Sequence, residues 1–420
     1  MQLEPHGGDR KGIASICALL STATCSLLAA MPVTATETAA AADQPWRADI
    51  GTVHYAEKDR ITVNGITARL KRQVSEESSV SLRSTYDSVS GSSPTGAVKI
   101  QSRSGASGAA YLTSFSTKRT AVGADWDGQL DALTRLTVTA DRSMQSTYES
   151  WGVGTTVARD FNQRNTTLVA GIGYSKDLAK PKGGIHYGLS SIADNKIRLQ
   201  EDTKDQLDLQ LGITQVLTSS TLVQLNFVHS RAEGYMTNPY KIISVVNAMT
   251  GSTGDYDPIY EKRPRNRNSN ALYAQLNQHL GAGVAYVSYR HVSDDWGIRS
   301  HTVDVKYRHP LGDRVYVQPH VRYYQQTAAN FYRSMLTNAE MAAPLQYASA
   351  DYRLAKLHTV SLGMKVGYRP RFGGELSIRA ELIRQNGENR PWDAVGIQRE
   401  AGVFPSLKAS MVHVAYTLPF

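Results

Sequence analysis

Long apolar runs are missing from this 420-residue chain after residue 31. A helix needs roughly 18 such residues to cross a bilayer, so a membrane protein made of helices is excluded for that stretch. Cysteine is nearly missing too. Both cysteines, Cys17 and Cys25, fall in the first thirty residues. Once that segment is removed, no disulfide or thiol chemistry is available. Chemical signatures are equally scarce. There is no phosphate-binding loop, no Gly-rich dinucleotide turn, no His/Cys metal spacing and no Gly-x-Ser-x-Gly. No catalytic residue, metal or cofactor is therefore expected. The charge is not one-sided: 46 Lys and Arg stand against 37 Asp and Glu, net +9. The cations are spread along the chain rather than clustered, which argues against a nucleic-acid partner.

What is present begins with an export signal. Arg10 and Lys11 precede an apolar stretch from Ile13 to Ala30, followed by Pro32 and the small residues Val33, Thr34 and Ala35. A charged segment, an apolar segment and a small-residue site make up a secretory signal. Residues 1–35 are read as that signal, with cleavage as late as 42, and 43–420 as one exported domain. The alternative is a retained anchor helix. Neither cysteine has the small residue expected just before a lipidated one.

The rest of the chain has a period of two. Leu207, Leu209, Leu211 and Ile213 share one face, against Asp208, Gln210 and Thr214 on the other. Val303, Val305 and Tyr307 oppose Asp304, Lys306 and Arg308. Leu376, Ile378, Ala380 and Leu382 oppose Ser377, Arg379 and Glu381. Successive side chains of a strand point to opposite faces, so each segment has an oily and a wet side. A soluble sandwich alternates as well, but its strands average about six residues. These run about ten to fifteen, which suits tilted membrane-spanning strands.

The pattern predicts strands near 47–55, 61–72, 78–89, 119–130, 134–148, 151–161, 166–177, 205–217, 220–232, 267–280, 283–294, 299–310, 314–328, 355–369, 374–387 and 406–420. Every second connection is short (74–77, 131–133, 162–165, 218–219, 281–282, 311–313, 370–373). Several others are long (90–118, 178–204, 233–266, 329–354, 388–405). Short periplasmic turns alternating with long external loops characterise outer-membrane barrels. The fold expected is all-β: a transmembrane antiparallel up-and-down barrel of about 16 strands, in the outer membrane of a Gram-negative bacterium. The even count puts both ends of the barrel on the periplasmic side. Tyr416, Leu418 and Phe420 close an alternating apolar face. This resembles the signal by which such barrels are handed to the barrel assembly machinery. That machinery and outer-membrane lipids are the partners expected. The 22 tyrosines against seven phenylalanines suit lipid–water interfaces.

Several segments also look familiar: residues 87–94 (DSVSGSSP), 234–241 (GYMTNPYK), 293–297 (SDDWG), 322–332 (RYYQQTAANFY) and 349–354 (SADYRL). Together they resemble an uncharacterised family of predicted bacterial outer-membrane β-barrel proteins, catalogued as a domain of unknown function. The resemblance spans nearly all of the exported part. It implies a barrel and no activity.

Strand parity points Arg83, Arg290, Lys306, Arg308, Arg322, Lys365 and Arg379 into the lumen, with Asp87, Asp208, Asp304 and Glu381. One reading is an ion-selective constriction, since rings of charge set selectivity. The other is a network of ion pairs that stiffens the interior. Sixteen strands leave an aqueous channel, which a loop can narrow. The Gly/Ser-rich stretch 90–118 is the candidate for that loop, or else a mobile external one. Asp294, Asp295 and Trp296 sit at an extracellular turn, as a divalent-cation site or as turn chemistry with an interfacial Trp anchor. Asp255, Asp257 and Glu261 lack the spacing of a known calcium loop. His291 and Ser293 share the lipid-facing side of one strand, as the base and nucleophile of a lipid hydrolase would. Asp304 on the next strand has the wrong parity to orient that His. Too few residues precede Trp46 for a plug domain of the usual receptor design.

The function expected is a passive pore for small hydrophilic solutes, porin-like and anion-preferring. The alternatives are a non-conducting barrel with a structural or partner-binding role, and a lipid-modifying enzyme. Substrate and oligomeric state are not legible.

Overall fold

A computed structural model of the chain describes residues 46–99, 109–253, 256–388, 394–400, 402 and 404–420. The signal segment, both cysteines and Asp255 lie outside the described residues.

Among the described residues, sixteen antiparallel strands form a closed barrel. In chain order they are β1 (Trp46–Glu57), β2 (Ile61–Ser75), β3 (Ser78–Lys99), β4 (Ala109–Asp131), β5 (Thr134–Gln145), β6 (Tyr148–Phe161), β7 (Thr166–Ala179) and β8 (Asp202–Thr218). The second half is β9 (Thr221–Gly234), β10 (Asn266–Leu280), β11 (Gly283–Asp294), β12 (Arg299–Leu311), β13 (Val315–Gln326), β14 (Leu357–Tyr368), β15 (Glu375–Gly387) and β16 (Leu407–Pro419). Each strand pairs with its chain neighbour, and β1 closes on β16 with Ile50 opposite Tyr416. Closure leaves no unpaired edge, which makes a spanning sheet tolerable in lipid.

Both ends of the barrel chain lie at one rim, with the seven connections that follow even-numbered strands, all of them short; it is called here the short-turn end. Trp46 and Phe420 meet there as stacked rings, 6.4 Å between centroids.

The wall inverts the usual arrangement of a protein core. Leu207, Leu209 and Leu211 are 39%, 45% and 61% exposed on the outer face. Leu82, Val153, Ile172, Val321 and Leu362 continue that belt on other strands. An apolar band of this extent around a closed barrel is the lipid-facing surface of an outer-membrane-type barrel. The alternation places these residues outward and the charges inward.

Buried apolar residues concentrate instead among the long connections. Ile243, Val245, Ile259, Leu336, Ala348 and Ala350 form one cluster. Val246 and Met335 form another, with Val395 and Ile397 against them. Trp296, Ile298, Phe331 and Leu354 form a third. Residues 180–201 and 327–356, with the described parts of 235–265 and 388–406, therefore make a packed cap at the long-loop end.

Two expectations change here. The described parts of 90–118 are not loop: up to Lys99 and from Ala109, β3 and β4 run on as paired strands, with Pro94 opposite Leu112. Residues 100–108 lie outside the described ones. Lipid-facing alternation is needed only within the bilayer, so the Gly/Ser-rich extension carries none and still pairs. Trp296 is no interfacial anchor. It is 4% exposed inside the cap, edge-on to Phe331, and its indole donates to the Asn266 carbonyl at 2.8 Å.

Candidate functional site

The interior is organised by ion clusters on opposite walls. On one side, Arg83 of β3 spans to Asp125 of β4 at 2.8 Å and Asp141 of β5 at 2.9 Å. The register puts Gly123 between Arg83 and Asp141. A Cβ there would lie 2.2 Å from the Asp141 carboxylate and 3.0 Å from the guanidinium. A residue without a side chain is what lets the pair meet across the intervening strand.

Half the circumference away in the strand order, His320 of β13 is wedged between two carboxylates. Its Nε2 lies 2.7 Å from Asp304 of β12 and its Nδ1 3.0 Å from Glu381 of β15. Gly363 of β14 occupies the register position between His320 and Glu381. A Cβ there would lie 2.7 Å from Glu381 Cγ. Arg322 and Lys306 reach the same Asp304 at 2.7 and 3.1 Å, and Arg379 approaches Glu381 at 3.8 Å. Nearer the short-turn end, Glu375 collects Arg308 at 3.6 Å and the Tyr316 hydroxyl at 2.6 Å, with Lys365 at 4.0 Å.

These contacts gather Arg83 into one cluster. Lys306, Arg308, Arg322, Lys365, Arg379, Asp304 and Glu381 join the other. Asp87 pairs with Arg119. Asp208 accepts from Gln206 at 3.0 Å on β8. Arg290 stands inward on β11 in neither cluster. Pairing does not bury the cations: the Arg322, Arg379 and Arg308 side chains keep 48%, 35% and 34% of their exposure. The wall is stiffened by ion pairs, and its cationic heads still face water.

The inward carboxylates of β4–β7 were missed. Asp127 accepts from the Thr137 hydroxyl and Asp160 from that of Thr167, both at 2.6 Å. Neither has a cationic partner among the described residues. Asp125 and Asp127 flank outward Trp126, so parity alone would have placed them inside. The lumen is therefore acidic along β4–β7 and basic along β11–β15. An excess of inward cations, the basis for expecting anion preference, does not hold around the whole wall.

The cap has a buried ionic hub. Glu261 accepts from Arg263 Nε at 2.7 Å, from the Asn238 amide at 2.6 Å and from the Ser349 hydroxyl. Arg263 continues to Asp351 at 2.8 Å, which also holds Arg353 at 2.5 Å. Lys241, 2% exposed, lies 4.0 Å from Asp351 and donates to the Pro94 carbonyl of β3. Burial pulls the Lys241 ammonium down to about 8. Burial would raise Asp351, but Arg353, Lys241 and Arg263 hold it well below the usual carboxylate range. Glu261 is pushed up by burial against the pull of Arg263.

Around this hub the connections interlock. Leu189 N–H donates to the Tyr260 carbonyl at 2.9 Å, and Gln398 reaches the Gly251 carbonyl at 3.2 Å. Gly96 of β3 has φ +104, and a Cβ there would meet the Ile242 and Ala350 carbonyls at 2.8 and 3.0 Å. Segments rooted at β3, at β9/β10 and at β13/β14 stand far apart around the barrel yet meet at one point. The cap therefore crosses the mouth. It is the long loops that lie across it, with the 90–99 strand as their seat.

Two other expected features resolve locally. Asp294 pairs with Arg267 at 2.5 Å, while Asp295 accepts from Asn268 at 2.9 Å. The two carboxylates serve different partners at the turn. His291 faces outward and packs on His301, 4.7 Å between ring centroids. Asp304 faces the lumen and is held there by His320 and Arg322.

Comparison with known proteins adds a family. No curated protein matches the chain. Among solved structures, a mutant ferric enterobactin receptor (PfeA) from Pseudomonas aeruginosa is similar at 11% identity and TM-score 0.43, covering 82% of this chain and 54% of that one. The siderophore receptor PirA from Acinetobacter baumannii is similar at 11% identity and TM-score 0.40, over 81% and 52%. A bacterial polysaccharide outer membrane secretin is similar at 8% identity and TM-score 0.46, over 90% and 99%. The chain spans about half the length of the siderophore receptors it matches, and likenesses this distant carry no argument about function. A family model described as "Protein of unknown function (DUF3570)" matches residues 17–418. The chain belongs to the DUF3570 family.

Proposed function

We propose that the protein is a passive outer-membrane conduit for small hydrophilic solutes, narrowed at its outer mouth by the interlocked cap. The observation that carries this reading is the water-facing state of the inward cations, with Arg322 keeping 48% of its side-chain exposure. A barrel with a purely structural interior would gain by packing or fully pairing such groups. The two walls of opposite charge set the solute class. Anions are attracted along β11–β15 and cations along β4–β7, so net ion selectivity is weak. Small polar or dipolar solutes fit better than simple anions. The short-turn end faces the periplasm, and β16 with Tyr416, Leu418 and Phe420 is the strand presented to the assembly machinery.

The cap favours one second reading, a non-conducting barrel that displays its loops to a partner. Conductance in a planar bilayer separates the two, using wild type and the cap-loosening variant Gly96→Val under a salt gradient. Small steady conductance that grows in the variant, with a reversal potential near zero, is expected. A folded variant that stays silent overturns the conduit and leaves the display barrel.

A further inference from the structure

At the short-turn end, on the lipid-facing side, three outward residues stand in one row across three strands. Tyr368 of β14 pairs with Leu376 of β15, which pairs with Tyr416 of β16. The turns beside them carry Arg314, Arg371 and Phe372, and together these six residues line a cleft of about 480 Å³. Phe372 is 80% exposed at its edge. The Tyr416 hydroxyl donates to the Gly373 carbonyl at 3.1 Å, and the Arg369 amide donates to the Arg314 carbonyl at 2.8 Å. The two turns are thereby fixed to each other and to the ring that forms the floor.

The charge is what singles this rim segment out. Arg314 and Arg371 are exposed and have no carboxylate partner among the described residues, whereas the neighbouring Arg369 is taken up by Glu375 at 3.4 Å. Another short turn, between β2 and β3, carries Glu76 and Glu77 instead. Two free guanidiniums over an apolar, ring-walled cleft fit a ligand with an anionic oxygen-rich head and an oily body. Guanidinium binds phosphate bidentately, and the rings suit the lipid–water boundary.

We propose that this cleft binds the phosphate headgroup of a glycerophospholipid in the leaflet at the short-turn end, with Arg314 and Arg371 on the phosphate and Tyr368, Phe372 and Leu376 against the glycerol and upper acyl chain. Free phosphate would leave the apolar walls without a partner, so the lipid is the occupant.

Native mass spectrometry of the full barrel released from detergent tests this, with dioleoyl phosphatidylglycerol as probe. Dioleoylglycerol, which lacks the phosphate, and inorganic phosphate serve as the other two arms. Preferential retention of phosphatidylglycerol is expected, with roughly tenfold loss in the Arg314→Gln/Arg371→Gln double variant. Both arginines are exposed on turns, and the heat-shift of the barrel on gels confirms that the variant is folded. Equal retention by that folded variant overturns the proposal. So does equal retention of dioleoylglycerol, which would leave only a greasy surface. Displacement of the lipid by inorganic phosphate overturns it too, by making the cleft a free-anion site.

Discussion

The ammonium of Lys241 donates to the backbone carbonyl of Pro94, tying the connection between β9 and β10 to the far end of β3 across the barrel mouth. Beside it, Arg263 joins Glu261 to Asp351. Removing one partner from a buried ion cluster leaves the others uncompensated, which costs about 3–5 kcal/mol. Asp351→Asn should therefore release the cap while the wall remains paired. Limited proteolysis should cut within 235–265 much faster than in wild type, with the barrel core intact. A cap that stays resistant in this variant would mean that the apolar clusters hold the loops without the hub.

The same lysine gives the cap a pH dependence whose sign follows from its burial. In the closed cap Lys241 loses its proton at about 8, against 10.5 for a lysine free in water. Below 8 it is protonated whether the cap is open or closed, so the cost of burying the charge is fully present. From 8 towards 10.5 the open form holds the extra proton, and rising pH favours closure. Proteolysis of residues 235–265 should slow across that window in wild type. Lys241→Met should show no such slowing. An equal pH response in both proteins would assign it to other groups.

Segregated charge in the lumen predicts opposite effects from opposite walls. Arg322→Ala removes an inward cation that is half-exposed. Asp127→Asn and Asp160→Asn remove carboxylates that accept from threonine hydroxyls and have no cationic partner among the described residues. In the cap-loosened background, the arginine change should move the reversal potential towards cation preference, and the aspartate changes towards anion preference. High salt should shrink both shifts, because exposed charges are screened. Shifts of the same sign would show that the two walls do not act on one ion path.

The wall was legible in the sequence because lipid on one side and water on the other force a period of two on every spanning strand. Arg83, Arg322 and Glu381 could be placed inside by counting from an outward Leu or Val, and Asp127 could have been placed the same way from Trp126. The cap was not legible. Lys241, Glu261, Arg263 and Asp351 lie in connections with no period, and their meeting depends on how loops from distant strands fold back. Pro94 was misplaced for a related reason: above the bilayer a strand no longer needs an oily face, so a Ser- and Gly-rich strand reads as a loop.

The outward belt makes the last prediction the most direct check on the fold. Leu211 is 61% exposed on the outer face of β8, paired laterally with Ala170 of β7 and Phe227 of β9. In water, replacing so exposed a leucine with arginine would cost little and could even help solubility. In a bilayer the same change puts a charge into hydrocarbon, at about 2–4 kcal/mol near the midplane. Unfolding of Leu211→Arg in lipid vesicles by denaturant should show a loss of that size, whereas Gln210→Arg, one residue along and facing the lumen, should lose far less. The contrast between neighbours matters more than either value. A soluble barrel would tolerate Leu211→Arg at least as well as Gln210→Arg, and only a wall with lipid outside and water inside reverses that order.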